Sequence, residues 1–208
     1  MPSAANDYHF VTRWTVPATT VAEVYATLAD ARALPRWWPA VYLAVTPVSP
    51  GRASDGLGAA FDLHTKGWLP YTLKWRLTVA ELNPPYGSTI NADGDFVGRG
   101  IWRFVQEGPD VAVTFDWKLT AEKPLLRWLS PVLKPLFGAN HAWAMRQGEV
   151  SLRREIARRR STPGKTVPAP PGPTTWQPWG ALAGGVLAVL LVALGLSAVS
   201  RRGKDTGA

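Results

Sequence analysis

VPATTVAEVYATLADARALPRWWPAV, residues 16–41, is the stretch whose reading decides the fold. Val16 closes a strand-like run, YHFVTRWTV (8–16), that Pro17 terminates. Thr19 or Thr20 is then placed to cap a helix through TVAEVYATLAD, in which Val21, Val24, Tyr25 and Leu28 form an apolar stripe. ARALPRWWPAV reads as a short second helix, closed by Pro39. The opening is therefore a strand followed by two helices.

Further along, strands are expected at Val41–Val48, Gly58–Lys66, Tyr71–Leu82, Ser88–Ala92, Arg99–Glu107 and Val111–Thr120, most of them separated by the turn signals SPG, NPPYG, DGD and EGPD. In LKWRLTV, Leu73, Trp75, Leu77 and Val79 alternate with Lys74, Arg76 and Thr78, which marks a sheet with one wet face. Val111, Val113, Phe115, Trp117 and Leu119 repeat that period. From Leu125 to Arg160 the pattern turns helical, with interruptions expected at Pro131, Pro135 and Gly138. Its second part sets Ala142, Met145, Gly148, Leu152 and Ile156 along one face. Gly148 lets that helix approach the sheet closely or leaves room for something between them. The class is α+β, with no internal repeat.

With these elements in place, residues 16–41 resemble the opening of the START-like proteins, also called the SRPBCC or polyketide cyclase/dehydrase superfamily. HTKGWLPYTLKW (64–75), GDFVGRGIW (94–102) and NHAWAMRQGEVSLRREI (140–156) resemble one bacterial branch of it. The resemblance covers about residues 8–158. It implies a helix-grip fold, a curved antiparallel sheet around a long C-terminal helix, with an apolar cavity between them. In that family the cavity takes lipids, sterols, polyketides or other hydrophobic molecules. The resemblance supplies no catalytic motif.

The three histidines, His9, His64 and His141, have no second ligand at metal-binding spacing, so neither a metal nor a cofactor is expected. GxSxG, P-loop and GxGxxG patterns are missing, and GDFVGRG reads as a hairpin corner. Aromatic residues are more informative. Trp38, Trp68, Tyr71, Trp75, Trp102, Trp117 and Trp143, with Met145, are the candidate cavity lining; in a domain without a cavity the same residues are core. Polar groups near them are His64 and Lys66 on one strand, Asp93 and Asp95 in a turn, Arg99 and Asp116 on later strands, and Asn140 and His141 at the final helix. Of these, His64, His141, Arg99 and Asp116 are the weak candidates for polarising a carbonyl or moving a proton, and none is assigned a catalytic role.

Residues 1–160 form the expected domain, 161–178 a proline-rich linker, 179–200 a transmembrane helix and 201–208 a basic tail. ALAGGVLAVLLVALGLSAVS (181–200) has no charged residue, and twenty helical residues span about 30 Å, the thickness of a bilayer core. Trp176 and Trp179 on one side, and Arg201, Arg202 and Lys204 on the other, suit the two interfaces. Gly180 and Gly184 offer a weak helix-pairing motif. The linker carries Pro163, Pro168, Pro170, Pro171, Pro173 and Pro178 and reads as a polyproline-like spacer, able to stand the domain roughly 50 Å off the bilayer. MPSAANDYHF lacks the regions of a signal peptide, which predicts a cytoplasmic domain on a single-pass anchor; the basic tail, by the positive-inside rule, points the other way.

The formal charge of +8 is unevenly spread. Residues 1–150 hold 14 basic and 13 acidic residues, whereas 151–208 hold 9 and 2. The excess in RREIARRR, Lys165 and the tail suits anionic headgroups or a solvated helix end, and no nucleic-acid motif accompanies it. The expected function is binding or transport of a hydrophobic small molecule or lipid beside the membrane. The alternatives are a polyketide cyclase/dehydratase-like enzyme and a membrane-tethered interaction module. An enzyme is not claimed.

Overall fold

Asp7–Val16 (β1) leads through an extended Thr20 into Val21–Leu28 (α1) in this computed structural model, which describes residues 6–122, 124–162 and 166–175. Thr20 makes a reciprocal cap. Its hydroxyl accepts from the Glu23 amide at 3.3 Å, while the Glu23 carboxylate accepts from the Thr20 amide at 3.0 Å. A 3₁₀ turn at Ala31–Ala33 runs into Leu34–Trp37 (α2), with Pro35 in its first turn, where a missing amide proton costs nothing.

Six strands follow: β2 (Tyr42–Ser49), β3 (Ala60–Lys66), β4 (Thr72–Asn83), β5 (Gly87–Gly94), β6 (Phe96–Glu107) and β7 (Asp110–Ala121). They join β1 in one seven-stranded antiparallel sheet of order β1-β7-β6-β5-β4-β3-β2. Consecutive strands from β2 onward pair with one another, and only β1 reaches across the chain, to β7. The α+β class and the helix-grip arrangement are as expected: Pro124–Arg160 (α3) packs against β1, α1 and α2.

Two features depart from the expectations. α3 runs through Pro131, Pro135 and Gly138 as one helix of 37 residues. A proline removes one backbone bond, and the turns on either side carry such a helix onward. Ala142 is exposed, whereas Met145, Gly148, Ser151, Leu152, Glu155 and Ile156 are buried. The buried stripe is thus rotated toward Ser151 and Glu155, away from Ala142.

Two buried polar side chains, Asn140 and Glu155, tie α3 to the rest of the fold. Asn140 Oδ1 accepts from the backbone amides of Trp68 and Leu69, at 2.9 and 3.2 Å, tying the helix to the β3–β4 loop. Gly67 permits the approach, since a Cβ there would lie 2.1 Å from Asn140 Oδ1. Fifteen residues on, the Glu155 carboxylate accepts from Arg36 on α2, at 2.8 Å from each terminal nitrogen, and from Arg158 and Arg159. Burial pushes Glu155 upward, but the hydrogen bonds of Arg158, Arg36 and Arg159 together outweigh it and hold the carboxyl well below the ordinary range. Arg160 similarly binds Glu23, lowering that carboxyl to about 2. The arginines of RREIARRR are thus largely engaged in ion pairs within the domain.

The transmembrane expectation for 181–200, the Gly180–Gly184 pair and the basic tail lie outside the described residues. Among the described residues no helix is long and apolar enough to cross a membrane.

Glu155→Gln leaves three guanidiniums around a neutral acceptor and is expected to cost about 2 kcal/mol, read from the urea midpoint at pH 7. An unchanged midpoint would show that Arg36 does not tie α2 to α3 through this carboxylate.

Candidate ligand-binding cavity

Strand parity decides what faces α3. On β4, Leu73, Trp75, Leu77 and Val79 point inward, as the alternation predicts; on β6 the inward set is Phe96, Gly98, Gly100, Trp102 and Phe104. Gly100 makes room for aromatic packing across the sheet, since a Cβ there would lie 2.6 Å from Trp117 and 2.7 Å from Phe115. Trp102 and Phe115 stack at 4.0 Å between centroids, Phe115 and Trp117 at 5.4 Å, and Trp75 lies 6.1 Å from Trp117. These rings form a continuous floor.

Between that floor and α3 lies an apolar cavity of about 260 Å³. Ala144 and Met145 form part of its roof, Trp38 one wall, and Lys66, Gly67, Tyr71, Asn140 and His141 one rim. A Cβ on Gly148 would lie 2.2 Å from the Trp38 indole, so the glycine serves close packing of Trp38 beneath the helix.

Of the candidate lining residues, Trp38, Tyr71, Trp75, Trp102, Trp117 and Met145 border the cavity. Trp68 and Trp143 do not. Trp68 sits in the β3–β4 loop, and Trp143 packs half-buried against the core. Tyr8, Phe10, Tyr25, Phe61, Phe137 and Ala144 also line the cavity and are not among the candidates. The period-2 pattern of β1, with Tyr8 and Phe10 against His9 and Val11, carries the signal for the first two.

The four weak catalytic candidates are not brought together. Arg99 is exposed on the opposite sheet face and ion-paired with Glu81. Asp116 accepts from His9 across β1 and β7 at 2.9 Å, also on that face. His64 alternates with the inward Leu63 and Thr65 and does not line the cavity. Among the other polar groups, Lys66 donates to the Thr174 carbonyl, Asp95 accepts from the Lys74 amide, and Asn140 is the structural tie described above.

Of the four, His141 alone reaches the cavity. Its ring stacks on Phe10 at 4.2 Å, and Nε2 is buried without a hydrogen-bond partner. Burial lowers its pKa to about 4, so the imidazole is neutral at physiological pH. Burial, with a smaller effect of Tyr8, pushes the Tyr71 hydroxyl up to about 12, and burial raises Tyr42 further. Among the described residues no Asp or Glu borders the cavity. Such a lining holds an apolar body and offers no carboxylate to pair with the histidine for acid–base work.

The histidine has a pH signature. Unfolded, it takes up a proton near pH 6.5; folded, it resists until about 4. The unfolded state therefore binds more protons in that window, and stability falls as pH falls through it. Wild type is expected to lose about 2 kcal/mol more than His141→Phe between pH 7.5 and 4.5, read from urea midpoints. Parallel pH profiles for the two proteins would contradict a neutral, buried imidazole.

Comparison with known proteins agrees with this geometry. A family model described as polyketide cyclase / dehydrase and lipid transport matches residues 8–157. No curated protein matches the chain. Among solved structures, TTHA0849 from Thermus thermophilus superposes with a TM-score of 0.59 at 15% identity, covering 74% of this chain and 100% of that one. The Zhui aromatase/cyclase from Streptomyces sp. R1128 gives 0.58 at 15% identity, over 77% and 99%. The di-domain aromatase/cyclase StfQ of the steffimycin biosynthetic pathway gives 0.54 at 16%, over 75% and 52%. At these identities the superpositions establish a shared fold. The seven-stranded sheet, its gripped helix and the family match over residues 8–157 together show that the chain belongs to the polyketide cyclase/dehydrase and lipid-transport family.

Proposed function

We propose that this chain binds a hydrophobic small molecule or lipid in the cavity between the sheet and α3, and that residues 181–200 anchor it to a membrane. The observation that carries the binding half is the cavity itself: about 260 Å³, floored by stacked aromatic rings and free of carboxylates among the described residues. Burying a ring or acyl chain there gains roughly 25 cal/mol for each Å² of apolar surface removed from water. The anchor half rests on the uncharged run of twenty residues and its flanking tryptophans and cations.

A cyclase/dehydratase-like reaction is the second reading, favoured by one observation, the neutral His141 at the cavity rim. With a pKa near 4 that imidazole is a weak base, and no acidic partner stands beside it among the described cavity residues. Binding therefore takes precedence over turnover. The interaction-module reading needs a closed core, and the open cavity argues against it.

N-phenyl-1-naphthylamine, an uncharged ring probe, is expected to bind a chain ending at Thr175 saturably, with one site and enhanced fluorescence. Ala144→Phe, which extends a ring from the roof into the cavity, is expected to weaken it at least tenfold with an unchanged near-ultraviolet spectrum. Absence of saturable binding, or equal binding by the variant, would contradict the cavity as the ligand site.

A further inference from the structure

The proline-rich segment beyond α3 does not run free. Described residues 166–175 have no regular secondary structure, yet they hydrogen-bond to the domain at two places. The Ala169 carbonyl accepts from the Arg154 guanidinium on α3. Five residues on, the Thr174 carbonyl accepts from Lys66 Nζ, and the Thr174 hydroxyl donates to the Gly67 carbonyl at 3.2 Å. Arg154 lies near the C-terminal end of α3, whereas Gly67 adjoins Asn140, fourteen residues earlier on that helix. Those fourteen residues measure about 21 Å along the axis. A polyproline-like path from Ala169 to Thr174 covers about 16 Å, and arginine and lysine side chains complete the span. The segment therefore runs back antiparallel to α3, and Pro168, Pro170, Pro171 and Pro173 restrict the conformations it loses on docking.

The chain thus leaves the described domain at the cavity rim formed by Gly67, Tyr71, Asn140 and His141, and not at the arginine-rich end of α3. From Thr175 to Ala181, the first residue of the uncharged run, six residues reach at most about 20 Å. We propose that residues 166–175 are a strap holding this rim toward a lipid surface, and that hydrophobic ligand passes between bilayer and cavity through it. The proposal rests on reading 181–200 as a membrane anchor. It gives Trp68 a place, since this half-buried indole in the rim loop, outside the cavity, suits the bilayer interface, as does exposed Pro70 beside it. It also turns the arginine cluster, engaged with Glu155 and Glu23, away from the headgroups.

The test uses the full chain in phosphatidylcholine vesicles. The sequence has no cysteine, so a single one at exposed Pro70 (Pro70→Cys) or exposed Ala157 (Ala157→Cys) can carry a nitrobenzoxadiazole label. A lipid with a nitroxide on its headgroup is expected to quench the Pro70→Cys label at least threefold more than the Ala157→Cys label. Adding Lys66→Ala and Thr174→Val, which release the strap, is expected to abolish the difference while the protein still floats with the vesicles. Equal or reversed quenching in a chain that floats, or a difference that survives strap release, overturns the proposal alone. A chain that does not float with vesicles overturns the anchor reading and the proposal with it.

Discussion

The structure depends on how α3 is held across the concave face of the sheet. The helix's apolar contacts through Met145, Leu152 and Ile156 are joined by two buried polar ties fifteen residues apart, besides the exposed ties of Arg153 to β1 and Arg160 to α1. Asn140 takes two backbone amides of the β3–β4 loop, and Glu155 takes the guanidinium of Arg36 from α2. Both side chains are buried, so losing either set of partners would leave an uncompensated polar group. Between the ties Trp38 packs beneath the helix, Met145 of the helix itself lines the roof, and the space left over is the cavity. The cavity is thus the space that remains when the helix is held at separated points and large, rigid rings occupy the middle.

The chemistry of that space follows from strand parity. On β4, β6 and β7 the residues facing α3 are aromatic, aliphatic or glycine, and the charges fall on the outer face, where they pair across strands: Arg76 with Asp62, Arg99 with Glu81, His9 with Asp116. The ionisable groups left at the cavity are kept uncharged or bound elsewhere. Burial lowers His141 and raises Tyr71 and Tyr42, and Lys66 donates to the Thr174 carbonyl. A ligand without charge is what such a lining accommodates at least cost.

Much of this was legible in the chain. The alternation of Leu73, Trp75, Leu77 and Val79 pointed those residues inward, and all four line the cavity. The capping threonine, the second helix before Pro39 and the strand count also followed from local rules. What was not legible depended on distant partners. Arg99 and Asp116 looked available because their partners lie 18 and 107 residues away in sequence. His64 stands one position from the inward Thr65, and a single residue of register separates the two faces. Residues 161–178 read as a spacer from composition, which says nothing of the hydrogen bonds that Lys66 and Arg154 make to the Thr174 and Ala169 carbonyls, 108 and 15 residues away.

The central claim is that the space between the sheet and α3 holds a hydrophobic ligand. Native mass spectrometry of a chain ending at Thr175, followed by solvent extraction, tests it most directly. The predicted result is a bound lipid or ring compound, lost in the Ala144→Phe variant, which identifies both occupancy and place. A clean ligand-free mass that persists after incubation with lipid vesicles and ring compounds would contradict it.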